Sequence, residues 1–212
     1  MKPCIKPWAL LGSLATLTLG LAATGLAQAQ AVVGQPAPAF KITDASGKAV
    51  SLADFKGKHV VLEWVNPGCP FVQKHYDSGN MPATQKSARG KDVVWLSVSS
   101  TARDAGDYKA PAELAGWLQK KGASNNATLM DEEGKLGRSY GARTTPHMYV
   151  IDPQGKLIYA GAIDSKPSTD IADLKTATNY VNQALGEALA GKPVSKAQTQ
   201  AYGCSIKYAS GA

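Results

Sequence analysis

The chain has 212 residues, of which 44% are hydrophobic and 18% charged, and its 23 Lys and Arg against 16 Asp and Glu give a formal charge of +7. That length and balance suit one globular domain and exclude a disordered or low-complexity chain. The basic excess is spread out, with no Lys/Arg block interleaved with aromatics, which excludes nucleic acid as an expected partner.

Residues 1–31 read as a secretory signal peptide. Lys2 and Lys6 make a positive start, Trp8 to Leu26 is apolar but diluted by Ser and Thr, and two small-x-small sites follow, Ala27-Gln28-Ala29 and Ala29-Gln30-Ala31. An uncleaved membrane anchor is the competing reading. The cleavage-type residues favour removal, which predicts a periplasmic or secreted protein with no membrane segment. Cys4 leaves with the leader, and losing Lys2 and Lys6 lowers the charge from +7 to +5. Cys69 and Cys204 remain. In an oxidising compartment an even cysteine count favours their pairing.

Along the rest of the chain, Phe40 to Thr43, a turn at Asp44-Ala45-Ser46-Gly47 and Val50 to Leu52 read as a hairpin. A buried strand from His59 to Val65 follows. A helix from Pro70 is expected to pause near Gly79-Asn80 and resume to Ala88, because Pro82 cannot continue it without a kink. Asp92 to Ser99 is a second strand, Thr101 to Lys109 a surface loop, and Pro111 to Lys121 a helix with Leu114, Trp117 and Leu118 on one face. Ala127 to Met130, a helical turn at Leu136 to Tyr140, and strand His147 to Ile151 come next. Asp152-Pro153-Gln154-Gly155 turns the chain into Leu157 to Ala160. Leu174, Ala177, Val181, Leu185 and Leu189 recur at helical steps, predicting a last helix over 173–190. The tail over 192–212 has no period. Alternating strands and helices closed by a hairpin and a helix predict an α/β domain over 32–191, a central mixed sheet flanked by helices on both faces.

The chain is organised around residues 59–76, an apolar run broken by Asn66-Pro67-Gly68 that delivers Cys69 and then Pro70. Proline suits the first helical position, so Cys69 falls at or beside the N-cap. The partial positive charge of a helix N-terminus favours thiolate over thiol there. The bland alternative is a small buried apolar residue. Thr144-Thr145-Pro146 directly precedes a strand, where a cis proline would make a sharp, fixed entry.

Gly-Cys-Pro-Phe-Val-x-Lys-His-Tyr, Thr-Thr-Pro-His-Met, the Asp-Pro-Gln-Gly hairpin and a terminal Tyr-Gly-Cys-Ser together resemble the thioredoxin-like superfamily, in its exported redoxin or AhpC/TSA branch, over roughly residues 33–208. The resemblance implies a thioredoxin-like fold in which Cys69 is the nucleophile and Thr145 and Pro146 form the cis-proline element packed against it. It also implies that Glu63 is the buried acid beneath the site. A carboxyl group among Val61, Trp64 and Val65 would be desolvated and able to relay a proton; the alternative is an exposed strand-end residue.

The departures from the family pattern matter. Position 72, where thioredoxins carry a second active-site cysteine, is Val72, so a local dithiol is impossible. Asn66, Leu62 and Pro146 stand where peroxiredoxins carry a Thr or Ser, a Pro and an Arg, and Arg143 is near but not in place. Metal binding through Cys69, His75 and His147 is the weaker reading: on a straight helix His75 points away from Cys69, while His147 could approach the thiol or serve as a hydrogen-bonded orienter. The sequence therefore predicts an exported thiol oxidoreductase acting on a disulfide or peroxide, with Cys204 as resolving partner, an unidentified reductant, and no cofactor or metal. The competing reading is a silent binding domain in which Cys69–Cys204 is a permanent staple.

Overall fold

The computed structural model describes Met1 and residues 30–210, so the signal peptide expected over 1–31 falls almost wholly outside the described residues. The sheet is built outward from β3 (Val60–Trp64), buried along its whole length. β3 pairs in parallel with β4 (Val94–Ser99) and antiparallel with β7 (His147–Ile151). β5 (Ala127–Met130) and β8 (Leu157–Gly161) complete the order β5-β4-β3-β7-β8. Successive strand residues point to opposite faces, so a strand covered on both sides must be apolar throughout. Val61 and Val65 face one core and Val60, Leu62 and Trp64 the other.

The first core is roofed by α1 (Pro70–Asp77), α2 (Asn80–Arg89), α3 (Pro111–Lys120) and α5 (Tyr180–Leu189), through Val72, Tyr76, Met81, Leu114, Leu118, Val181 and Leu185. The second is covered by α4 (Lys135–Tyr140) and by the hairpin of β1 (Lys41–Thr43) and β2 (Ala49–Ser51), with Phe40, Ile42, Leu136 and Tyr140 packing inward. Pro82 sits in the first turn of α2, where its missing N–H breaks no hydrogen bond.

Two elements differ from expectation. The last helix begins at Tyr180 rather than near Asp173: Asn179 accepts from the Asn182 amide at 2.9 Å as N-cap, and residues 171–175 form a separate 3-10 turn. An Asn side chain that caps competes with carrying the helix backward through Thr176 and Thr178. The tail, aperiodic in sequence, also contributes a strand. β9 (Cys204–Ser205) pairs antiparallel with β6 (Thr144–Thr145), Thr145 opposite Cys204.

Candidate active site

Leaving the sheet, β3 runs into a turn held by Asn66. Its side-chain oxygen accepts from the Gly68 amide at 2.8 Å, and its amide nitrogen donates to Asp107 Oδ2 at 3.0 Å and Thr101 Oγ1 at 3.2 Å. The turn places Cys69 at the N-cap of α1 with Pro70 in the first turn. The Cys69 side chain leaves the helix end uncapped and reaches across to the strand entry instead. Its thiol donates to the Thr145 carbonyl at 3.0 Å, and the Cys204 amide points at Cys69 Sγ from 3.4 Å. The sulfur thus sits between an acceptor on the strand entry and a donor on the tail.

The Thr145–Pro146 peptide is cis. Cys69, Thr145, Pro146 and Cys204 therefore meet, and both cysteines are free thiols in this structure. Burial beside Cys69 pushes the Cys204 thiol up to about 12. Cys69 itself is only 2% exposed, because the tail lies over it. Gly203 makes that approach possible: at φ 132° its backbone passes the Thr145 carbonyl so closely that a Cβ would collide with it.

Glu63 is wholly buried, as expected, but is not hydrogen-bonded to Cys69. Oε1 accepts from Tyr76 Oη at 2.7 Å, and Oε2 from Trp95 Nε1 at 2.7 Å, Gln85 Nε2 at 2.9 Å and Ser97 Oγ at 3.3 Å. Desolvation raises its pKa, and the four donors oppose that rise. Lys74 is turned away from the thiol, its ammonium donating to the Lys166 and Ser168 carbonyls at 3.2 and 3.0 Å.

The two histidines weighed as metal ligands are engaged separately. His147 Nδ1 lies 3.3 Å from both the Arg143 amide and Tyr149 Oη. His75 Nδ1 faces Asn80 Nδ2 at 2.8 Å and its Nε2 faces Tyr202 Oη at 3.2 Å. Among the described residues no three His, Cys, Asp or Glu side chains converge as a metal site. A surface cavity of about 820 Å³ lies between the β1–β2 hairpin and α4 and contains none of these groups.

Sequence reading missed the residues that seat the tail. Tyr202 donates to Asp164 Oδ1 at 2.5 Å, Lys207 pairs with Asp107 at 2.9 Å, and Tyr208 donates to the Ala142 carbonyl at 2.7 Å. The sequence signal was slight, an aromatic two residues before Cys204 and another four after it.

A cysteine heading the first helix of a mixed five-stranded sheet, against a cis-proline strand entry, defines a thioredoxin-like oxidoreductase. Comparison with known proteins agrees. The chain belongs to the AhpC/TSA family, whose sequence model matches residues 33–160. It is 26% identical over 126 residues to the thiol-disulfide oxidoreductase ResA of Bacillus cereus, covering 59% of this chain and 67% of that one. It is 30% identical over 142 residues to the thiol:disulfide interchange protein DsbE of Escherichia coli, covering 65% and 69%. Among solved structures, an uncharacterized conserved protein of Geobacillus kaustophilus superposes with a TM-score of 0.72 at 26% identity, over 85% of this chain and 94% of that one. A thiol:disulfide interchange protein from Bacteroides shares the fold, with a TM-score of 0.50 at 23% identity over 69% and 88%. The tail carrying Cys204 lies beyond the residues the family model matches.

Proposed function

We propose that this chain is an exported thiol-disulfide oxidoreductase in which Cys69 attacks and Cys204 resolves. The observation carrying this reading is the meeting of the only two cysteines beyond the leader, 135 positions apart, with the Cys204 amide directed at Cys69 Sγ. In the first step the Cys69 thiolate attacks one sulfur of a substrate disulfide, forming a mixed disulfide and releasing the other sulfur as thiolate. The Cys204 thiolate then attacks Cys69 Sγ, forming Cys69–Cys204 and releasing the second substrate thiolate. The substrate leaves as a dithiol and an external thiol reductant must return the protein to its reduced state.

Disulfide is preferred over peroxide as substrate because Asn66, Leu62 and Pro146 replace the residues that peroxiredoxins use, and because the relatives are named for disulfide chemistry. Thr145 and Pro146 form the wall against which Cys69 works. Both oxygens of Glu63 are filled by donors from α1, α2 and β4, so its first role is to anchor the helix presenting Cys69, and relaying a proton would require one donor to let go. Residues 32–191 are the proposed body and 192–212 the tail. Export rests on residues 1–31, and an intact mass showing residues 1–29 retained would remove it.

Burial of Cys69 under the tail favours a second reading, a permanent Cys69–Cys204 staple. The two are separated by offering the reduced protein a model protein disulfide and, separately, an alkyl hydroperoxide. Cys69→Ser is expected to abolish disulfide turnover and Cys204→Ser to trap a mixed disulfide. Turnover that survives Cys69→Ser removes Cys69 as the nucleophile, and a reduced wild type that turns over neither substrate establishes the staple instead.

A further inference from the structure

We propose that Tyr202 is a positioning residue: its hydroxyl, clasped between Asp164 and His75, fixes where the tail docks and so holds Cys204 at Cys69. The inference rests on the Cys69–Cys204 reading above and adds to it the group that sets how efficiently the second thiol is delivered. Downstream of Cys204 the tail is tied by the Ile206 amide to the Arg143 carbonyl at 3.0 Å, by Lys207 to Asp107 and by Tyr208 to the Ala142 carbonyl. Upstream, Thr199 is tied to β8, its amide to the Ala160 carbonyl at 3.1 Å and its Oγ1 to the Ala162 amide at 2.9 Å, and between that tie and Cys204 it is the Tyr202 side chain that reaches the body.

The seat is built into the body. His75 and Asp164 are both buried, and His75 lies on α1, the helix that Cys69 heads, so the anchor and the nucleophile share one rigid element. The hydrogen bonds around it run in one consistent direction. Asn80 Nδ2 can only donate, so His75 Nδ1 accepts and its proton sits on Nε2. Nε2–H then donates to Tyr202 Oη, whose own proton goes to Asp164 Oδ1 at 2.5 Å. Asp164 Oδ1 also accepts from the Lys166 amide at 2.9 Å. Oδ2 is buried with no hydrogen-bond partner among the described residues and lies 3.8 Å from His75 Nε2. A buried carboxylate so sparsely served depends on the tyrosine hydroxyl, which a solvent-exposed one would not. Outside this clasp the ring needs no hydroxyl, since it meets Phe71 edge-on at 5.7 Å.

The test separates the two sulfur attacks. The reduced full-length chain carrying Cys4→Ser, so that Cys69 and Cys204 are its two thiols, is mixed with excess dithiobis(nitrobenzoate), a symmetric aromatic disulfide. A first phase, proportional to reagent, forms the protein–nitrothiobenzoate mixed disulfide and releases one aromatic thiolate. A second, independent of reagent, forms the internal disulfide and releases another. Tyr202→Phe keeps the ring and removes the hydroxyl, and it is expected to slow the second phase at least about ten-fold while leaving the first no slower. At equilibrium the same ten-fold loss reads as a Cys69–Cys204 potential about 30 mV less negative.

Asp164→Asn should act in the same direction, and the double variant should be within about two-fold of the slower single one, because both remove one interaction. A second phase within two-fold of wild type together with an unchanged potential overturns the proposal. So do both phases slowing in parallel, the mark of a general structural defect, or effects that multiply in the double variant. A wild-type protein that keeps two aromatic groups and never forms an internal disulfide fails differently, by removing the Cys69–Cys204 pair itself.

Discussion

Replacing Glu63 tests how the site is held. Glu63→Ala deletes the acceptor for four donors in a region closed to water. Trp95 Nε1 and Tyr76 Oη, each 2.7 Å from the carboxylate, are the two most completely dependent on it, whereas Ser97 Oγ is more distant at 3.3 Å. Gln85 Nε2 retains Tyr76 Oη at 3.1 Å. Two buried donors left unpaired cost about 1–3 kcal/mol each, so a loss of roughly 2–6 kcal/mol is expected out of a typical total of about 5–15 kcal/mol. Release of a desolvated charge offsets part of this, which places the expectation toward the lower figure.

Glu63→Gln keeps the shape. Its carbonyl can take the place of Oε2, and its amide can face Tyr76 Oη, which turns to accept. A change within about 1 kcal/mol is expected. The two variants also differ from wild type in their pH dependence. Because burial raises the folded pKa of Glu63 above the ordinary 4.5, the folded state holds a proton that the unfolded chain has released. Wild-type stability should therefore fall, relative to Glu63→Gln, as pH rises from about 4.5 through that raised value, and level off above it. Urea denaturation of the three proteins across pH 4 to 8 measures both effects. An alanine variant within about 1 kcal/mol of the glutamine variant, or a wild-type-minus-glutamine difference flat with pH, would refute this account of the carboxylate.

Air-oxidised protein is expected to show no free thiol, and reducing it should lower stability by up to about 5 kcal/mol, the chain-entropy bound for a loop of 135 positions; two titratable thiols before reduction would count against the pairing. Burial, aided by the charge of Arg143, lowers the His147 pKa to about 4, so acid must charge a group that the fold keeps neutral. Stability should drop as pH falls from about 6.5 to about 4, and His147→Gln should flatten that slope in urea titrations. Gly203→Ala places a methyl group against the Thr145 carbonyl at φ 132°, which is expected to lift the tail and speed iodoacetamide labelling of Cys69 at least about five-fold; unchanged labelling would mean the tail does not gate the thiol.

What the sequence determined by itself is the local machinery. An apolar run stopped by Asn-Pro-Gly and followed by Cys-Pro reads as strand, turn and a helix headed by Cys69, because proline chemistry and apolar patterning act over a few residues. The same locality made the Asp152-Pro153-Gln154-Gly155 turn legible, whereas the burial of Glu63 was implied by the family resemblance, the strand pattern itself leaving an exposed strand-end residue open. Where local signals competed, reading failed: the spacing of Leu174 and Ala177 suggested helix, but Asn179 formed a cap and the chain broke there. The place of Lys74 was decided by two carbonyls more than 90 residues away. The tail was decided by tertiary structure alone. Its two-residue strand and the clasp on Tyr202 have no period to read, because their partners on β6, α1 and the loop after β8 are brought up by the rest of the fold, and backbone pairing of so short a segment has no stability until that surface exists.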